Sequence, residues 1–228
     1  AALEAIFKER FLGAYLVGVA LHPTRHDRGR RPEVVAIVTD ASAADVAALG
    51  EEAKSAMRAG IRIQLVSEWD LSRSADAFAL QVADWKCHHA VLAGDDSRLA
   101  QVLVKREHVR LAAERRLREM QRRLRQLLLE THLVAGAPKT EVPEVAAQAL
   151  DDLLVLARHV LPLLGEDAPE DEAARLAAVV DAAGGDTELL ATAYARLHDG
   201  DRIPRPIALL DAFLPIFAAL TDRVDALE

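Results

Sequence analysis

Apolar and polar positions divide the chain into two regimes. Through the first hundred residues short apolar runs alternate with polar connections, and beyond them apolar residues recur at helical spacing nearly to the end. Residues 1–10 carry Leu3, Ile6 and Phe7 at helical spacing and lead into the apolar run 11–21, whose glycine-bounded centre reads as a buried strand. A polar, proline-bracketed loop, 22–33, cannot continue it. Residues 34–38 form a second buried strand, closed by Thr39 and Asp40. Residues 44–59 put Val46, Leu49, Ala53 and Met57 roughly on one helical face, with Gly60 where a helix commonly stops. Residues 61–66 alternate apolar and polar, which predicts a third strand with one packed face. A short helical turn is expected within 67–74, and Gly94-Asp95-Asp96 marks a turn before the chain changes character.

From about Lys105 the pattern is helical for some 28 residues, with Val109, Leu111, Leu117, Met120, Leu124, Leu127 and Leu128 apolar and arginines between them. Gly136-Ala137-Pro138 ends that helix. Four more helices are expected over 143–164, 170–183, 187–198 and 206–227, punctuated by glycines and prolines. Their lengths suit an antiparallel bundle with short connections.

Composition adds limits. The 228 residues are 51% hydrophobic, enough for one large core or two modest ones. The longest apolar runs fall short of the roughly 18 to 20 residues a membrane span needs, so a soluble, intracellular protein is expected. Cys87 stands alone, which excludes an internal disulfide framework and a cysteine-based zinc site and fits a reducing cytoplasm. The formal charge of -8 is uneven. Residues 139–228 hold 7 basic and 18 acidic side chains, against 21 and 18 in residues 1–138. That acidity argues against the C-terminal part as a nucleic-acid surface. No Walker-type or dinucleotide glycine pattern occurs.

The order helix, strand, basic loop, strand, helix, strand and helical extension resembles the nucleotidyltransferase superfamily. The resemblance implies a fold class: an α/β nucleotidyltransferase-like domain, a small mixed sheet with helices, over 1–100, followed by an all-α helical bundle over 101–228. In that family a Gly-Ser on the first strand holds nucleotide phosphates, and an Asp-x-Asp opening the second strand, usually with a third carboxylate on a later strand, binds two magnesium ions. Here Gly18 falls at the family glycine and Val19 at its serine, Glu33 at the first aspartate and Val35 at the second. The third strand offers no carboxylate. Residues 72–78 and 84–95 are similar to a bacterial subgroup, with Ser-x-Asp-x-Phe at Ser74, Asp76 and Phe78 and Asp-x-Lys-x-x-His-x-Val-Leu-x-Gly at Asp84, Lys86, His89, Val91, Leu92 and Gly94.

The expectation is therefore a degenerate, non-catalytic member of that family, acting as a nucleotide-sensing or protein-interaction module, with homo-oligomers through the helical part. Gly18, Arg25 and Arg28 are the candidates for nucleotide phosphate, since guanidinium groups suit phosphate geometry; Arg30 and Arg31 share the loop. The alternative is a magnesium-dependent nucleotidyltransferase using Glu33 with a further carboxylate, Asp27 or Asp40. A second alternative is an RNA-binding or RNA-cleaving helical protein. Arg125 and His132 enclose six residues, resembling the Arg-x4-6-His motif of HEPN ribonucleases. No metal site is expected from His22 and His26 or from His88 and His89, and Trp69, Trp85 and Cys87 read as core or core-edge residues.

Overall fold

In the computed structural model, which describes residues 2–17, 32–73, 75–95, 97–133, 141–203 and 205–227, the two buried apolar runs become neighbouring antiparallel strands. β1 is Phe11–Val17 and β2 is Glu33–Val38, with Tyr15 opposite Val35 and Val17 opposite Glu33. β3, Arg62–Ser67, pairs parallel to β2, and β4, His89–Gly94, pairs antiparallel to β1. The sheet order is β3-β2-β1-β4, so the two most apolar strands take the centre and the alternating one takes an edge.

Each face of this mixed sheet is covered. Tyr15, Val17, Val35 and Ile37 pack with Leu71 of α4 (Glu68–Arg73), Val82 and Trp85 of α5 (Ala79–Cys87) and Leu99 of α6 (Ser97–Ala100). Val38 and β3 pack on the other face with Phe7 of α1 (Ala2–Phe7) and with Leu49 of α2 (Ala43–Glu52). The predicted helix over 44–59 is interrupted at Ala53, after which α3 (Lys54–Arg58) completes the crossover to β3. Gly50 lowers helix propensity just before the break by about 1 kcal/mol relative to alanine. At the start of α2 a capping box joins Ser42 and Asp45, and Arg10 clamps Asp45 with two hydrogen bonds of 2.8 Å.

The fourth strand has no period in the sequence that would predict it. Its register depends on a close approach: a Cβ on Gly94 would lie 2.5 Å from the Leu12 carbonyl oxygen and 2.6 Å from the Gly13 Cα, and Gly94 has φ +84°. Only glycine satisfies both demands. Tyr15 then sends its hydroxyl to the Asp95 carbonyl.

Internal contacts gather into two units, Ala1–His108 and Val109–Glu228. The second holds α7 (Arg106–Leu133) from Val109 on, α8 (Glu141–Leu163), α9 (Glu172–Ala182), α10 (Thr187–His198) and α11 (Pro206–Asp225), and its buried residues include Leu117, Met120 and Leu124 of α7, Leu153 of α8, Leu176 of α9, Leu190 of α10 and Phe213 of α11. Asp171 and Asp186 cap α9 and α10 by accepting backbone N–H bonds, which satisfies donors a helix start leaves open. Buried Gln121 ties α7 to α11 by donating to the Phe217 carbonyl at 3.0 Å and to Thr221 Oγ1. Buried Arg175 donates to the carbonyls of Leu154, Pro169 and Glu170, fastening the α8–α9 connection. Some charged residues of α7 are paired: Arg118 binds Glu114 at 2.8 Å and Asp225 at 3.3 Å, and Arg116 binds Asp152 at 3.1 Å. No helix among the described residues is long and apolar enough to cross a membrane.

Candidate functional site

The first residue of β2 is Glu33, half-buried, with Val17 opposite it on β1 and Arg62 on β3. Two residues along β3, Gln64 donates its side-chain N–H to Glu33 Oε1. Gln81 of α5 donates in turn to Gln64 Oε1 at 3.4 Å. The direction of this relay is set at its end, because an ionised carboxylate only accepts. The nitrogen of Gln64 must face Glu33, which leaves its oxygen for Gln81. Three elements thus converge on one carboxylate through two uncharged amides.

Side chains two apart on a strand share a face. Val35 therefore lies on the same face as Glu33, but it is fully buried in the core with Tyr15, Val17 and Ile37. Its register partner on β3 is Gln64. The position where a second carboxylate would complete a pair is occupied by packed hydrocarbon.

Asp40 sits beyond the opposite end of β2. At about 3.3 Å per residue it lies roughly 23 Å along the chain from Glu33, and it accepts a 2.9 Å bond from Arg10 Nη1. A metal ion cannot be shared across that distance, so Asp40 is not the missing partner of Glu33. It belongs instead to a clamp with Asp45. Hydrogen bonds from Arg10, then from Ser42, hold the Asp45 carboxyl well below its ordinary range. Gly18, Arg25, Asp27, Arg28, Arg30 and Arg31, with His22 and His26, lie outside the described residues.

His88 and His89 are put to separate uses. His88 caps α5, with Nδ1 3.6 Å from Asp84 Oδ1. His89 opens β4, its Nδ1 2.7 Å from the Trp85 carbonyl and its ring edge-on to Tyr15 at 5.5 Å. No cluster of three or more metal-ligating side chains occurs among the described residues. The rest of that motif joins elements: Lys86 donates to the Val102 carbonyl, and Gly94 admits the backbone of β1. Trp85 is buried, as expected, whereas Trp69 is 61% exposed with the Arg73 guanidinium 5.2 Å from its ring, and Cys87 is exposed. Both exposed residues correct the expectation of core or core-edge packing; α4 is short and turns its apolar contact inward through Leu71 alone.

Arg125, from the pair that resembles a ribonuclease motif, donates to Gln121 Oε1 at 3.2 Å, one turn back on α7. His132 is on the same helix, and its side chain lies outside the described residues. Gln64 and Gln81 are the site residues that sequence reasoning missed. The usable signal was the alternation of β3, which puts Gln64 among the polar positions of a strand beside Glu33.

No protein-family model matches the chain, and no curated protein matches it by sequence. Among solved structures it is similar to spectinomycin adenyltransferase from Enterococcus faecialis, determined with ATP and spectinomycin. The superposition has a TM-score of 0.55 at 11% identity and covers 98% of this chain and 95% of that one. The chain has a nucleotidyltransferase-like fold, a small mixed sheet with helices followed by a helical region.

Proposed function

We propose that this chain is a nucleotide-binding module of nucleotidyltransferase fold that has given up nucleotidyl transfer. The observation that carries the reading is the state of β2: Glu33 is engaged by the Gln64 amide, and the next position on that face is the buried Val35. Magnesium, which the fold family would use, does not fit the described donor set. Two closely spaced divalent ions repel unless several carboxylates offset their charge, and here one carboxylate faces an amide. The Gln64 N–H engages Oε1 and brings no negative charge that could offset a second ion. The reading keeps a nucleotide site, with Gly18, Arg25 and Arg28 as phosphate contacts. It carries with it a cytoplasmic setting and protein contacts, self-association included, through the helical unit.

Calorimetric titration of the full chain with ATP, GTP and CTP, with and without magnesium, tests this. The expected result is micromolar binding of at least one nucleotide, unchanged when magnesium is removed, with no pyrophosphate released. Magnesium-dependent pyrophosphate release that disappears in Glu33→Ala would sink the proposal and restore transfer. Absence of any nucleotide binding would also overturn it and leave a purely structural scaffold.

A further inference from the structure

The outward face of α7 carries a second feature that nucleotide binding does not use. Leu111, Arg115, Arg118, Arg122, Arg125 and Leu129 follow one another at spacings of four, three, four, three and four residues. That is the heptad interval that brings side chains onto one seam of a helix. All six are exposed, Leu111 and Leu129 at 48% and 52%. The stripe lies opposite the buried row of Leu117, Met120 and Leu124. An open groove of about 400 Å³ runs along its first half, lined by Leu111, Arg115, Arg118 and Arg122 with Glu114 and Glu119 at its sides.

We propose that this seam docks an acidic amphipathic helix of another protein, in coiled-coil fashion, with carboxylates opposite the arginines and apolar residues opposite Leu111 and Leu129. Charge decides the occupant. A second copy of α7 laid along the seam antiparallel sets Arg115 against Arg125 and Arg118 against Arg122; laid parallel, it sets each arginine against itself. Both arrangements bury like charges, so isologous pairing of this stripe is disfavoured. Arg115 and Arg122 have no ion-pair or hydrogen-bond partner among the described residues, and Arg118 shares Glu114 and Asp225 while still exposed. A planar guanidinium accepts a carboxylate through two parallel bonds. A nucleic acid fits less well. The two leucines at the ends ask for hydrocarbon, which a phosphate backbone does not offer.

The test uses the full chain and three labelled probes in fluorescence anisotropy at low salt. The first is a synthetic helix as long as α7, with a Leu-Glu-Glu-Glu-Glu-Leu seam at the same spacings in a neutral background. The second has the same composition with its glutamates spread around the helix, and the third is a single-stranded RNA. The expected order is tightest binding to the seam peptide and about tenfold weaker binding, or more, to the other two, roughly 1.4 kcal/mol apart. Arg115→Glu with Arg122→Glu should abolish the preference, Arg115→Ala with Arg122→Ala should weaken it, and Arg202→Glu, an exposed charge elsewhere, should leave it unchanged. Circular dichroism of each variant checks that the helices persist. Equal affinity for both peptides, tighter binding to RNA, or a preference that survives the double Glu variant overturns the proposal. None of these outcomes bears on nucleotide titrations, so the two readings fail separately.

Discussion

At the scale of single residues, the carboxylate that opens β2 is most informative because its neighbour is an amide rather than an acid. Replacing Gln64 by leucine leaves half-buried Glu33 without its donor and should cost about 1 kcal/mol in a denaturant titration, the usual net worth of one hydrogen bond. Gln64→Glu is sharper. Two adjacent carboxylates repel at neutral pH, so the variant should melt below the wild type and regain temperature on addition of magnesium, while the wild type stays insensitive. The Arg10 clamp makes a different prediction. A carboxyl held below its ordinary range stabilises the fold at pH values above its unfolded pKa, and that stabilisation fades as pH falls through the acid range toward the folded value. Arg10→Ala should therefore lower the melting temperature at neutral pH, with the difference from wild type shrinking progressively below about pH 4.

At the scale of elements, β4 shows where sequence pattern stops. β1 and β2 were legible because central strands are apolar on both faces, and β3 because an edge strand alternates. β4 mixes His89, exposed Val91 and Leu92, and glycine, with neither period, because its place is fixed by backbone fit against β1. Gly94→Ala combines a left-handed φ with a backbone clash and should cost at least about 1 to 3 kcal/mol from strain alone; thermal unfolding of the variant measures it. The site divides along the same line. Glu33 and the apolar Val35 two positions on could be read by position along the chain, whereas the Gln64–Glu33 contact depends on parallel register between β2 and β3, which no local pattern encodes. The helices of the second unit were the easiest elements, and their expected limits hold to within a few residues because Gly165, Gly184 and Gly200 take the left-handed conformation that ends α8, α9 and α10.

On the scale of the whole molecule, an α/β unit and a helical unit each build their own core. A ligand that binds only the folded α/β unit should raise its stability by about 2.7 kcal/mol at a hundredfold excess over Kd. If the proposed nucleotide reading holds, thermal unfolding with ATP should shift upward equally in magnesium and in chelator. In the helical unit, Phe217→Ala removes a fully buried ring and should cost about 3 to 5 kcal/mol, read as lost helical ellipticity at a lower denaturant concentration.

The bond from Gln121 to Thr221 has a further consequence for how the protein is made. Its partners are 100 residues apart, so α7 is made well before the helix it is tied to. At a synthesis rate of about 5 to 20 residues per second, α7 leaves the ribosome on the order of 5 to 20 seconds before the Thr221 partner of Gln121 exists. During that interval the nascent helix presents an apolar stripe beside a dense set of arginines, a natural substrate for chaperones that hold unfinished chains.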